Sequence, residues 1–80
     1  MFFSRKRVAP KSAKFLILTD WTKNTSRSES EYVFVNADHI VEFAKSTVDK
    51  EKTVIYTVGA NAPVEVWETP AEILGKIERL

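Results

Sequence analysis

The sequence predicts a small α+β domain: a four- or five-stranded antiparallel sheet, open or curled toward a small barrel, with one C-terminal α-helix. Three observations predict it. Short runs of β-branched and aromatic residues with a period of two recur between Phe15 and Trp67. Polar or Gly/Pro/Asn-bearing stretches of a few residues separate most of them, as in a meander. The last run then hands over to a helical pattern, and strands followed by a single helix argue for a helix packed on one face of the sheet.

Taken in order, residues 1–14 show no period, and Pro10 interrupts any helix there, so they read as a basic flexible arm preceding a single domain over 15–80. Phe15 to Trp21 alternates Phe15, Ile17, Thr19 and Trp21 against Leu16, Leu18 and Asp20, a strand expected to be partly buried on both faces. Thr22 to Glu31 is polar and rich in Ser and Thr, a solvated loop. Tyr32 to Val35 resumes strand character. Asn36-Ala37-Asp38-His39 breaks it, because Asn and Asp bond their own backbone. Ile40 to Ala44 is the third strand, Val48 to Lys52 a charged connection, and Thr53 to Val58 the fourth strand. Gly59 to Pro63 turns the chain so that Val64 to Trp67 pairs back.

The helix start is the most strongly signalled point in the chain. Thr69 is an N-cap by type, Pro70 sits at the first helical position where its missing N–H costs nothing, and Glu72 completes a capping box. A helix over 70–79 follows, with Ile73, Ile77 and Leu80 at i, i+4, i+7 and Leu74 beside them as the stripe to be buried.

Composition narrows the function classes. Eighty residues make one domain with a modest core, 44% apolar. The absence of Cys removes disulfides, zinc knuckles and thiol nucleophiles, which leaves oligomerisation as the expected reinforcement. The formal charge of +1 hides a split. Residues 1–14 hold five basic residues (Arg5, Lys6, Arg7, Lys11, Lys14) and no acidic ones, leaving seven basic and all eleven acidic residues in 15–80. No apolar run reaches membrane-spanning length, and MFFSRKR lacks the apolar stretch of a signal peptide. The expected location is cytoplasmic.

The order Phe15-Leu-Ile-Leu-Thr19, Tyr32-Val-Phe-Val-Asn36, Asp38, Ile40-Val-Glu42, Thr53-Val-Ile-Tyr-Thr57, Val64-Glu-Val-Trp-Glu68 and Ala71-Glu-Ile73 resembles the small flagellar FlbD family over residues 15–77. Two departures stand out: the 22–31 loop is longer than that family's turn, and the basic arm has no counterpart there. The resemblance implies a flagellar association and no catalytic residues. From Asn36 onward the strand and helix rhythm is also similar, more weakly, to LytTR-type DNA-binding domains, whose reading loops would correspond to 46–52 and 59–63.

No constellation of residues points to a reaction. His39 is the sole histidine, and strand neighbours such as Asp38 point to opposite faces, so a turn role outweighs a catalytic or metal one. Glu65 and Glu68, or Glu29 and Glu31, read as solvated carboxylates rather than acid/base pairs. There is no phosphate-cradling glycine loop; Gly75, inside the helix, marks either close packing or tolerance. Trp21 and Trp67 end strands, and Trp67 shares a nominally polar face with Glu65, which marks either an interface or a cap on the core edge above the helix start.

The sequence therefore argues for a non-catalytic interaction module without cofactor or metal. It would self-associate through a strand edge or through Trp21, Tyr56 and Trp67, and its arm (Arg5, Lys6, Arg7, Lys11, Lys14) would engage an acidic protein partner. An alternative is a nucleic-acid-binding, regulatory protein whose arm supplies salt-sensitive affinity. A second alternative is a small-ligand-binding protein with a pocket built between subunits from Trp21, Tyr56, Trp67 and His39.

Overall fold

The computed structural model describes residues 14–80, so Arg5, Lys6, Arg7 and Lys11 lie outside the described residues. Five strands precede one helix: β1 (Phe15–Thr19), β2 (Tyr32–Asn36), β3 (Ile40–Lys45), β4 (Thr53–Thr57), β5 (Val64–Val66) and α1 (Pro70–Glu78). Strands β1 and β2 form one antiparallel pair, and β3, β4 and β5 a three-stranded antiparallel sheet. The chain is α+β, as its pattern predicts.

A short junction makes the two sheets share one wall. Asp20 bridges Val66, the Trp21 N–H donates to the Glu65 carbonyl at 2.9 Å, and the Trp67 N–H donates to the Thr19 carbonyl at 2.9 Å. Order around the wall is therefore β2-β1-β5-β4-β3, and β2 runs on into β3 through a 3-10 turn at Ala37–His39. That turn forms as the Asn-Ala-Asp pattern requires: Asn36 Oδ1 accepts the Asp38 N–H at 2.9 Å.

One core lies inside this curled wall. Leu16, Leu18 and Val35 come from the first sheet, Ile55 and Val66 from the second, and Ile73 from the helix; all are buried. The helix starts as its sequence specifies. Thr69 Oγ1 accepts the Glu72 N–H at 3.1 Å, and Glu72 Oε1 accepts the Thr69 N–H at 2.8 Å. Its buried stripe is narrower than expected: Ile73 is buried and Ile77 packs against the core, whereas Leu74 and Leu80 are each 51% exposed. The helix is nine residues long, so Leu80 lies beyond its end, and Leu74 is turned about 100° from Ile73, off the line that meets the core.

Strand β1 is partly buried on both faces, as its alternation predicts: Leu16 and Leu18 face the core, and on the other side Thr19 is buried and Trp21 half-buried, while Phe15 and Ile17 are 51% and 53% exposed. Gly75 is tolerated rather than required, since a Cβ there would meet only the far end of the Arg79 side chain, at 3.4 Å. Gly59, by contrast, adopts φ +76° in the β4–β5 turn, where an L side chain is strained.

Candidate functional site

Strand pairing sorts the outer face of the wall into rows, because residues directly opposite one another in antiparallel strands present their side chains to the same face. Ala44, Val54, Glu65 and Trp21 make one row. Lys52, Trp67, Thr19 and Tyr32 make the next. Ile17 with Phe34, and Phe15 with Asn36, complete the β1–β2 end. The two tryptophans are thereby neighbours on adjacent rows.

They pack as an aromatic corner. Their ring centroids are 6.2 Å apart with planes inclined by 52°. Lys52 lies in the same cluster, its Nζ 4.5 Å from the Trp21 ring centroid and 2.8 Å from Glu65 Oε2. Trp67 donates its Nε1–H to Ser30 Oγ at 3.0 Å, so the 22–31 segment folds over the corner. Both rings are half-buried by their own chain. Trp67 thus caps the sheet beneath a loop, and the polar face it shares with Glu65 is covered there from within. Beside the corner opens a cavity of about 580 Å³, walled by both tryptophans, residues 22–26, Glu29, Asp49 and Glu51. Tyr56, the third aromatic of the sequence reading, is not part of it; it is 46% exposed on β4 and lines a separate groove with Glu42, Ala44 and Val54. His39 is exposed in the 3-10 turn, so within one chain these four residues do not assemble into a pocket.

The reading of Glu68 as solvated is corrected: it is 3% exposed. Strand β1 explains why. The alternation set by the Ala37-to-Lys14 and Asp20-to-Glu31 bonds turns the Thr19 N–H and carbonyl away from β2. The carbonyl finds Trp67, but β5 ends before it can serve the N–H. The Glu68 carboxylate takes its place, accepting the Thr19 N–H at 2.8 and 3.1 Å and the Thr19 hydroxyl at 2.9 Å. Arg27, from a 3-10 turn at Arg27–Glu29 in the loop, then bridges Glu68 at 3.3 Å and Glu72 at 3.2 Å. The loop is thus pinned to the helix cap rather than left solvated along its length. The Thr69 backbone N–H holds the Glu72 carboxyl below its ordinary value against the opposing cost of desolvation, and Arg27 adds to the lowering.

The β1–β2 end has a different character. Phe15, Ile17, Tyr32 and Phe34 are all at least half exposed and contiguous by register. Among the described residues no strand pairs with the outer edge of β2. Lys76 of α1 and Arg79, which caps its end, flank Phe15 and Ile17, and Arg27, Glu68 and Lys76 border the groove that holds Ile17, Tyr32 and Phe34. Lys14, assigned to the arm by the sequence reading, is already tied in, its carbonyl accepting the Ala37 N–H at 2.8 Å.

Among the described residues no group of three or more His, Cys, Asp or Glu side chains is placed to hold a metal, and no helix is long and apolar enough to cross a membrane. Comparison of the chain with protein-family models, curated proteins and solved structures finds no match.

Proposed function

We propose that this chain is a non-catalytic interaction module that self-associates through the outer face and free edge of its β1–β2 pair. The observation that carries the reading is the contiguous set Phe15, Ile17, Tyr32 and Phe34 on a strand pair with an open edge. Three aromatics and an isoleucine at this exposure present roughly 400–500 Å² of apolar surface, at the upper end of what a monomer leaves uncovered without a use. Two copies joined face to face would bury about 800–1,000 Å² of this apolar surface in total, and the rim around it brings the contact to the ~1,000 Å² of a specific interface. Lys76 and Arg79 along the rim favour an acidic macromolecule as a further partner. The FlbD resemblance of residues 15–77 favours a flagellar setting for that assembly.

Light scattering on a sizing column tests this directly, with the ultraviolet absorbance ratio recorded. The wild-type chain is expected to be a defined oligomer free of nucleic acid, and Phe34→Asp a monomer with unchanged far-ultraviolet circular dichroism. A wild-type monomer, or a Phe34→Asp variant that keeps its size, would sink the reading. Nucleic acid carried by the wild-type chain and stripped by salt would move the arm-driven alternative to first place.

A further inference from the structure

We infer that the Trp21/Trp67 cavity is a receptor site for a guanidinium group, and that its occupant is the Arg5-Lys6-Arg7 run of a second copy of this chain. The inference rests on the self-association proposed above, but on a different surface from the β1–β2 face.

Three features of the cavity specify a cation. The corner of two inclined indoles offers π faces, whose quadrupole attracts positive charge. The protein already uses one of them in this way, with Lys52 Nζ 4.5 Å from the Trp21 centroid. Three carboxylates, Glu29, Asp49 and Glu51, wall the same cavity against one cation, Lys23. They come from two loops about twenty residues apart in sequence, so the excess of negative charge is assembled by the fold rather than by a local run. A walled concavity lined by one sign of charge concentrates counter-charge. Arginine suits it better than lysine, because a planar guanidinium stacks on indole while donating to carboxylates at its edge.

The chain carries the complementary segment. Residues 1–13 hold four basic residues and no acidic one. Reach favours exchange between copies. From Lys14 back to Arg7 is seven residues, about 25 Å fully extended, and β1 itself carries the chain about the same distance from Lys14 to Trp21. An arm returning Arg7 to its own cavity would have to run nearly straight along β1, whose edges are held by β2 and, near Trp21, by β5. A second copy imposes no such path.

Because Trp21 and Trp67 are the only tryptophans and both wall this cavity, fluorescence of the folded chain reads its occupancy. The acceptor is the full chain carrying Arg5→Ala, Lys6→Ala and Arg7→Ala, titrated with a peptide of residues 1–13. The expected result is a saturable emission change, weakened at least tenfold when Asp49→Lys and Glu51→Lys are added to the acceptor and absent for a peptide with the same three alanines. Dilution of the wild-type chain should shift its emission, and dilution of the triple-alanine chain should not. Equal binding by the alanine peptide, or no loss on charge reversal, would overturn the cation site. Binding of tetramethylammonium without binding of the peptide, or wild-type emission independent of concentration, would overturn the occupant. Repeating the titration in Phe34→Asp separates the two surfaces: peptide binding that survives there supports this site whatever becomes of the β1–β2 contact, and binding lost there while the fold is intact overturns its independence.

Discussion

Removing the Glu68 carboxylate should cost this domain most of its stability. In Glu68→Ala two buried donors, the Thr19 N–H and hydroxyl, lose acceptors now 2.8 and 2.9 Å away. A buried donor left unsatisfied costs about 1–3 kcal/mol, so the pair together costs about 2–6 kcal/mol. Arg27 adds little, because its side chain is 47% exposed and it keeps Glu72. A core of this size supplies about 3–5 kcal/mol in all. Glu68→Ala should therefore lie near or beyond its unfolding midpoint in buffer. Glu68→Gln retains one acceptor for the N–H and should lose about 1–2 kcal/mol, a fall of about 1 M in urea midpoint. Tryptophan fluorescence and far-ultraviolet circular dichroism, followed together through a urea titration, give both numbers. A Glu68→Ala chain within about 0.5 kcal/mol of wild type, the range of an ordinary surface change, would refute the reasoning, as would a Gln variant worse than the Ala one.

Three further outcomes follow from the geometry. Gly75→Ala should stabilise the chain by about 0.5–1 kcal/mol, raising Tm by several degrees in a thermal melt, since only the tip of Arg79 needs to yield. Thr69→Ala removes the acceptor for the Glu72 N–H and should cost about 1 kcal/mol, read as a lowered urea midpoint with unchanged slope. Glu72 has a folded pKa lowered from 4.5, so its contribution is complete above that value and is lost as pH falls through the folded pKa. With the side chain 42% exposed, screening keeps that contribution under about 1 kcal/mol. Glu72→Gln should accordingly flatten the loss of stability in acid below about pH 4.5 while already being weaker at pH 7.

The legible parts of this fold are those whose physics is local. The alternation in Phe15–Thr19 and Thr53–Thr57, the Asn36 turn and the Thr69–Glu72 box each act within a few residues, and each appears where its pattern places it. What alternation does not reveal is which face turns inward. In β4 the core takes Thr53 and Ile55, while Val54 and Tyr56 face out, a choice made by pairing with β5 and not by the hydrophobicity of TVIYT. Glu68 was illegible for the same reason. Its neighbours Trp67 and Thr69 say nothing of a Thr19 N–H 49 residues away that needs an acceptor because β5 stops short. The tryptophan cavity lies between these cases: both indoles stood out in the sequence, but the carboxylates that give it a sign come from two loops that only the folded chain brings together. Tyr56 was an equally good aromatic on paper, and its row places it elsewhere.

The junction of Thr19–Trp21 with Glu65–Glu68 also constrains the order in which the molecule can form. A two-stranded hairpin is marginal alone in water, so β1–β2 gains lasting protection only once the chain's other end has closed upon it. Loop-closure entropy over such a separation must be met before those contacts return anything, which is the regime of slow, cooperative folding. Until then the Tyr32–Asn36 segment, free of charge and proline, is exposed on both edges. The interval before closure is when this chain is most open to pairing with the wrong neighbour.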